Sequence, residues 1–213
     1  MPIILIILLL IAGIIFPKLI QYNRSRYKEE SGNPFFATIG NTKRYGEFLA
    51  FTYLEEYAIH RKIITNRYLP AKDQTPERLE LIMISEAGIY LFDVNSYKAT
   101  VRGNPGKDPW TWKDKRKEGT LNNPFLKNQE RIRRLREVFP ALKEVPMKSF
   151  VLFNNDATLK IDGEPPKEGK ILKMQDLIRE LNEEIAMAPT TLSPEEIDGL
   201  YEEIKKGTER VPG

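Results

Sequence analysis

The longest pattern in the chain shows no alternation at all. Residues 2–17, PIILIILLLIAGIIFP, are uncharged, and Leu19, Ile20 and Tyr22 carry the run past Lys18, whose stem can snorkel. A spanning helix needs about 20 mainly apolar residues, so residues 1–22 are expected to form a transmembrane signal-anchor helix. Lys18, Arg24, Arg26 and Lys28 follow the run and no basic residue precedes it. The positive-inside rule then predicts a single-pass protein of the cell membrane, N-terminus outside and soluble domain cytoplasmic. A cleaved signal peptide would want a basic start and a small-x-small cleavage site, and the run has neither.

Beyond the run, periodicity takes over. Residues 23–35 are polar, carry Gly32 and Pro34, and read as a juxtamembrane linker. Residues 40–60 are helical by spacing, with Glu47, Phe51, Leu54 and Ala58 on one stripe and His60 at the helix end. Glu47 is an acid on an inward stripe; it either takes part in a site or complements the helix dipole. Residues 62–69 are β-prone and stop at Pro70, and 71–76 form a polar loop. Residues 78–95 then read as two strands joined at Glu86-Ala87-Gly88.

Along the second of these strands Ile89, Leu91, Asp93 and Asn95 share one side, and Tyr90, Phe92 and Val94 the other. With Glu80 on the neighbouring strand, Asp93 could hold a hard cation through oxygen ligands, or Asp93 and Asn95 could simply open a turn. A short strand over 97–102, a turn at Gly103-Asn104-Pro105-Gly106 and an exposed strand carrying Trp110 and Trp112 follow. Asn122-Asn123-Pro124 starts a helix that runs to about Phe139, with Phe125, Ile132, Leu135 and Phe139 on its apolar stripe. Arg131, Arg133, Arg134 and Arg136 fall mostly off that stripe, and Gln129 lies close to it. A buried strand over 147–153, short strands at 159–161 and 171–173, and amphipathic helices over 175–187 and 194–206 complete the chain. Ser193 caps the last helix. This order of elements predicts an α/β sandwich with a mixed central sheet flanked by helices.

Charge is unevenly spread over the 213 residues. Residues 174–213 hold ten acids against four bases, whereas 98–136 hold twelve bases against four acids. A basic middle with an acidic tail suggests an anionic partner, nucleic acid or anionic lipid, although a solvated surface has the same composition. The candidate nucleic-acid contacts are Lys113, Lys115, Arg116, Lys117, Arg131 and Arg134. The tryptophans beside them could stack on bases or cap a sheet edge. The acidic C-terminal helices could shield the basic surface or bind a protein partner. With no Cys and a single His, thiol chemistry, Cys-ligated zinc and a Ser-His-Asp triad are ruled out or implausible, leaving carboxylates as the metal ligands available.

Taken together, these pieces resemble the nuclease-related domain (NERD), a branch of the PD-(D/E)xK endonuclease-like superfamily. The resemblance rests on Gly46-Glu47, Leu79-Glu80, Gly88 through Asn95, Tyr97, Gly103, the Trp110 region, Asn123-Pro124 and Gln129. It implies a restriction-endonuclease-like domain over 36–156, with strands and acidic helices appended over 157–213. It implies catalytic positions at Glu47, Glu80, Asp93, Asn95 and Gln129, and Mg²⁺ bound by Glu47, Glu80 and Asp93. The family pattern puts Asp where Glu80 stands, Glu where Asp93 stands and Lys where Asn95 stands. The last departure removes a positive charge beside the scissile phosphate, a loss of about 10²–10³ in rate for groups of that kind. Two functions are therefore carried forward: a membrane-anchored Mg²⁺-dependent endodeoxyribonuclease with weakened activity, and an inactive scaffold binding nucleic acid or protein at the inner face of the membrane. A third sends the basic helix to the anionic inner leaflet.

Overall fold

The computed structural model describes residues 2–70 and 76–211, so the loop expected at 71–76 lies outside the described residues except for Pro76. In chain order the elements are α1 (Pro2–Arg24), α2 (Tyr27–Ser31), α3 (Phe35–Ile39), α4 (Thr42–Glu55), β1 (Arg61–Leu69), β2 (Glu77–Ser85) and β3 (Gly88–Asn95). Then come β4 (Thr100–Asn104), β5 (Lys107–Lys113), β6 (Glu118–Leu121), α5 (Pro124–Val138), β7 (Met147–Phe153), β8 (Thr158–Ile161), β9 (Gly169–Lys173), α6 (Leu177–Met187), α7 (Pro194–Lys206) and β10 (Glu209–Arg210).

Six strands form the main sheet in the order β10-β1-β2-β3-β7-β9. It is mixed: β1, β2 and β3 pair antiparallel, whereas β3, β7 and β9 run parallel. Side chains on β3 alternate between two cores. Tyr90, Phe92 and Val94 pack with Phe48, Phe51 and Leu54 of α4 and with Leu177, Leu181 and Ile185 of α6. Ile89 and Leu91 pack with Leu135 of α5 and with Ile197, Leu200 and Ile204 of α7. The central sheet is thus covered on both faces, which is why its strands read as nearly continuous apolar runs. This is the expected α/β architecture of mixed sheets flanked by helices.

A second sheet, β6-β5-β4-β8, leans on the C-terminal end of β7. Trp110 is its keystone. The strand carrying it was expected to be exposed, yet Trp110 is fully buried, its ring parallel to Phe153 at 6.4 Å and edge-on to Phe125 at 6.3 Å. Its indole Nε1 donates to the Asn104 carbonyl at 2.8 Å, so burial leaves no polar atom stranded. Trp112, the alternate position, stays partly exposed against Tyr97.

One other expectation is corrected. The first helix stops at Glu55, not near 60; Ala58 and His60 are exposed, and His60 Nε2 sits 2.8 Å from Asp198 Oδ1 of α7. Residues 23–35, expected as a juxtamembrane linker, contain α2, with Tyr27, Ser31 and Asn33 fully buried, and the Tyr22 hydroxyl donates to the Asn33 carbonyl. Tyr22, Tyr27, Phe35 and Phe48 form one aromatic cluster, edge-to-face except for the tilted Tyr22–Phe48 pair, that fastens the end of α1 to α4. The strands and helices expected beyond residue 156 are present: β9 lies beside β7, and α6 and α7 cover the two faces of the main sheet. Their acids are partly spent internally, with Glu180 and Glu184 pairing with Lys170, Glu184 also with Lys148, and Asp198 with Lys62.

Helix α1 is long and apolar enough to cross a membrane, and Ile3, Leu5, Leu9, Leu10, Ile14 and Phe16 among its side chains are exposed. Length and composition suit a membrane span and a signal sequence alike.

Candidate functional site

The hairpin register assembles the site. Leu81 pairs with Phe92, so one step further along the ladder brings Glu80 abreast of Asp93. Glu80 is then tied down from both sides: its carbonyl accepts from Thr65 Oγ1 at 2.6 Å, and its Oε2 accepts from the Val94 amide at 3.3 Å. Asn95 lies on the same side of β3 as Asp93, and its Nδ2 donates to Asp93 Oδ1 at 2.7 Å.

Two helices deliver cations to this acid pair. Helix α4 begins at Asn41, whose side chain accepts from the Arg44 amide, and it sits close against the end of β3 because residue 46 is glycine. A Cβ there would collide with Ser96 Oγ and lie 3.3 Å from Val94 Cγ1. From its first turn Lys43 Nζ reaches Glu80 Oε1 at 2.7 Å. Helix α5 begins at Asn123, whose Oδ1 accepts from the Phe125 amide and whose Nδ2 donates to the carbonyls of Pro105 and Lys107. That clamp ties the helix start to the β4–β5 turn. One turn on, Lys127 Nζ lies 2.9 Å from Asp93 Oδ2.

Arg131 closes the cluster. Its side chain is 3% exposed, and it donates from Nη1 to Asp93 Oδ2 at 2.9 Å, from Nη2 to Glu80 Oε1 at 3.3 Å and from Nε to Glu77 Oε1 at 2.9 Å. Asn128 orients it, accepting from Nη1 at 2.9 Å while donating to Ser149 Oγ. Glu47, expected beside the other two acids, faces a different cation: Arg78 Nη2 donates to its Oε2 at 2.7 Å. Arg78 is aimed there by Asn66 Oδ1, from a residue held at φ +56° in β1, a conformation Asn tolerates better than most residues.

Burial opposes the charge on Asp93, but Lys127 and Arg131 outweigh it and hold the carboxyl down at about 2. For Glu47 burial wins, and its carboxyl is raised despite Arg78. Burial likewise works against the charge on Arg131, yet Glu80 and Asp93 raise its already high value.

The positions expected from sequence are therefore divided. Glu80, Asp93 and Asn95 come together; Glu47 pairs with its own arginine, close enough to feel the charges of Glu80 and Lys43. Gln129 is exposed, and the inward positions of α5 are Lys127, Asn128 and Arg131. Arg131 and Arg134, expected on an outer nucleic-acid face, are both buried. Lys113, Lys115, Arg116 and Lys117 lie at the exposed β5–β6 turn, where Lys113 pairs with Glu118. Sequence reading missed Lys43 and Lys127, because nothing within a few residues of a helix start fixes where a long, flexible lysine points.

Above the acid pair opens a cleft of about 500 Å³, lined by Thr42, Lys43, Asn95, Ser96, Asn122 and Lys127. Both helix starts therefore border it. A broader groove of about 700 Å³ begins at Lys98 and is lined by Arg102, Lys113, Lys115, Arg116 and Lys160 of the second sheet. Tyr97 lines the cleft, and the next residue along the chain, Lys98, lines the groove.

The acids do not fit a divalent ion as they stand. Among the described residues no three carboxylates or imidazoles converge as a metal cage would require. Both Asp93 oxygens and both Glu80 oxygens already accept from Lys, Arg, Asn or backbone donors.

A family model described as nuclease-related domain matches residues 42–154, which contain every side chain of this cluster. An uncharacterised protein of Bacillus anthracis is 23% identical over 148 residues, 70% of this chain and 65% of that protein. The chain thus spans just under two thirds of that relative. No solved structure matches.

Proposed function

The chain belongs to the nuclease-related domain family, and from that premise we propose that its cleft binds the phosphodiester backbone of nucleic acid, DNA foremost, at the surface of a membrane. The observation that carries this reading is the convergence of Lys43 and Lys127, from two separate helix starts, on the rim of one cleft. Each ammonium has three donors, and each makes its short bond inward to Glu80 or Asp93, leaving donors for a ligand. The helix N-termini behind them add partial positive charge of the sign an anion needs. Lys127 also stands in for the strand lysine that Asn95 replaces: it meets Asp93 from α5 instead of from β3. The groove bearing Arg102, Lys115, Arg116 and Lys160 would carry the strand onward by charge, with affinity falling steeply as salt rises. Helix α1 would hold the domain at the bilayer, and its tail-end Tyr22 is part of the domain core, so the two are joined stiffly.

Endonuclease activity is the second reading, favoured by the retention of Glu80 and Asp93 side by side. Both are tested on the full chain in detergent micelles with labelled single- and double-stranded DNA. Binding that weakens about tenfold or more in Lys43→Gln/Lys127→Gln, with no cleavage in Mg²⁺ or Mn²⁺, supports the binding protein. Nicking that disappears in Asp93→Asn supports the enzyme. Unchanged DNA affinity in the double variant rejects the cleft as the binding site.

A further inference from the structure

A divalent ion would have to satisfy Glu80 and Asp93, and both already have a resident cation. Lys43 and Lys127 could swing away, since their side chains are 48% and 33% exposed on flexible stems. Arg131 could not. Its guanidinium is buried, and its donors are committed to Glu77, Glu80, Asp93 and Asn128. Arginine is charged at any accessible pH, so it cannot be neutralised to make room.

The charges of the neighbourhood also close without a metal. Glu47, Glu77, Glu80 and Asp93 face Arg78, Lys43, Lys127 and Arg131. Adding two positive charges here would set an ion against a fixed cation at contact distance in a buried setting, where such repulsion is strong.

We propose that Arg131 is the permanent counter-cation of the Glu80–Asp93 pair, occupying the place of a divalent ion, so that the site holds and orients its two cleft lysines without metal. In this arrangement the acids position Lys43 and Lys127, and Arg131 neutralises what the lysines leave over. The inference concerns the acids alone and stands whether or not the cleft takes nucleic acid.

The test omits nucleic acid. Full-length protein in micelles is melted with and without millimolar MnCl₂, and bound Mn²⁺ is counted from its electron paramagnetic resonance signal. The wild-type Tm is expected to move by less than about 1 °C with no saturable ion bound, against about 5–10 °C for a site filled well above its Kd. Arg131→Gln should melt lower in the absence of Mn²⁺ and then gain a Mn²⁺-dependent rise of that size, which Asp93→Asn added to it removes. Lys127→Gln, with Arg131 in place, should stay insensitive. Saturable Mn²⁺ binding by the wild type that is lost in Asp93→Asn overturns the proposal, and so does an Arg131→Gln protein that folds but ignores Mn²⁺. If Arg131→Gln does not fold, the wild-type and Lys127→Gln titrations still decide, because a Mn²⁺ response in either removes Arg131 from the role.

Discussion

Two cationic regions in this molecule are built from the same residue types and do opposite things. Around Asp93, Lys43, Lys127 and Arg131 are held by carboxylates, and Arg131 is shut away from water. On the second sheet, Arg102, Lys115, Arg116 and Lys160 line an open groove and answer chiefly to solvent and salt. The inner set is structural and directional, because removing one partner strands a buried charge. The outer set is adaptable, because each charge is screened and each side chain can move. A count of basic residues along 98–136 merges the two; burial separates them.

Breaking the inner set should cost most. Arg131→Ala leaves Asp93 and Glu80 without their buried partner, a loss of about 3–5 kcal/mol, which corresponds to roughly 10 °C in Tm for a domain of this size. A thermal melt that moves by only a degree or two would mean that the inner cluster is no more structural than the groove.

A smaller effect, of about 1–3 kcal/mol, is expected from Gly46→Ala, since its methyl group meets Ser96 Oγ and α4 must retreat from β3. The denaturant midpoint reads this. Because Lys43 rides on α4, DNA affinity should fall with it, and a stability loss without an affinity loss would separate the cleft from the helix position.

Acid sharpens the comparison further. Asp93 is held at about 2, below the carboxyl of an unfolded chain near 4. Its contribution to stability is therefore complete above about pH 4 and is lost as the pH falls from there through about 2. The acid limb of a pH–stability curve should flatten in that window in Asp93→Asn. An unchanged limb would assign the acid sensitivity to other carboxylates.

The outer set should respond least in stability. Lys115→Ala and Arg116→Ala are expected to stay within about 0.5 kcal/mol of the parent protein. Each should nevertheless reduce the salt dependence of DNA binding by about one unit of slope if it contacts a phosphate. A large stability change would show that the groove is not merely a charged surface.

Much of the framework was legible residue by residue. Ser193 and Asn123 announced the starts of α7 and α5 because a capping side chain acts on amides two or three positions away. The Glu80, Asp93 and Asn95 positions followed from period-two geometry on a hairpin whose turn is local. The phase of α5 was less legible: Gln129 was expected inward, but Lys127, Asn128 and Arg131 are the residues that face the sheet. A long polar stripe beside an apolar one gives two defensible inward faces, and only the acids across the gap choose between them. Trp110 was misplaced for a related reason, since the rings that cover it come from α5 and β7.

Local sequence therefore determined the apolar N-terminal helix, the sheet-forming strands, the caps and the acid pair, because each depends on neighbours within a few residues. Tertiary structure alone decided what the acids hold. Asp93 meets Lys127 and Arg131 from 34 and 38 positions away, and Glu80 meets Lys43 across 37. A long, charged side chain has no preferred direction until a buried opposite charge supplies one, and that charge arrives only when the helices dock on the sheet.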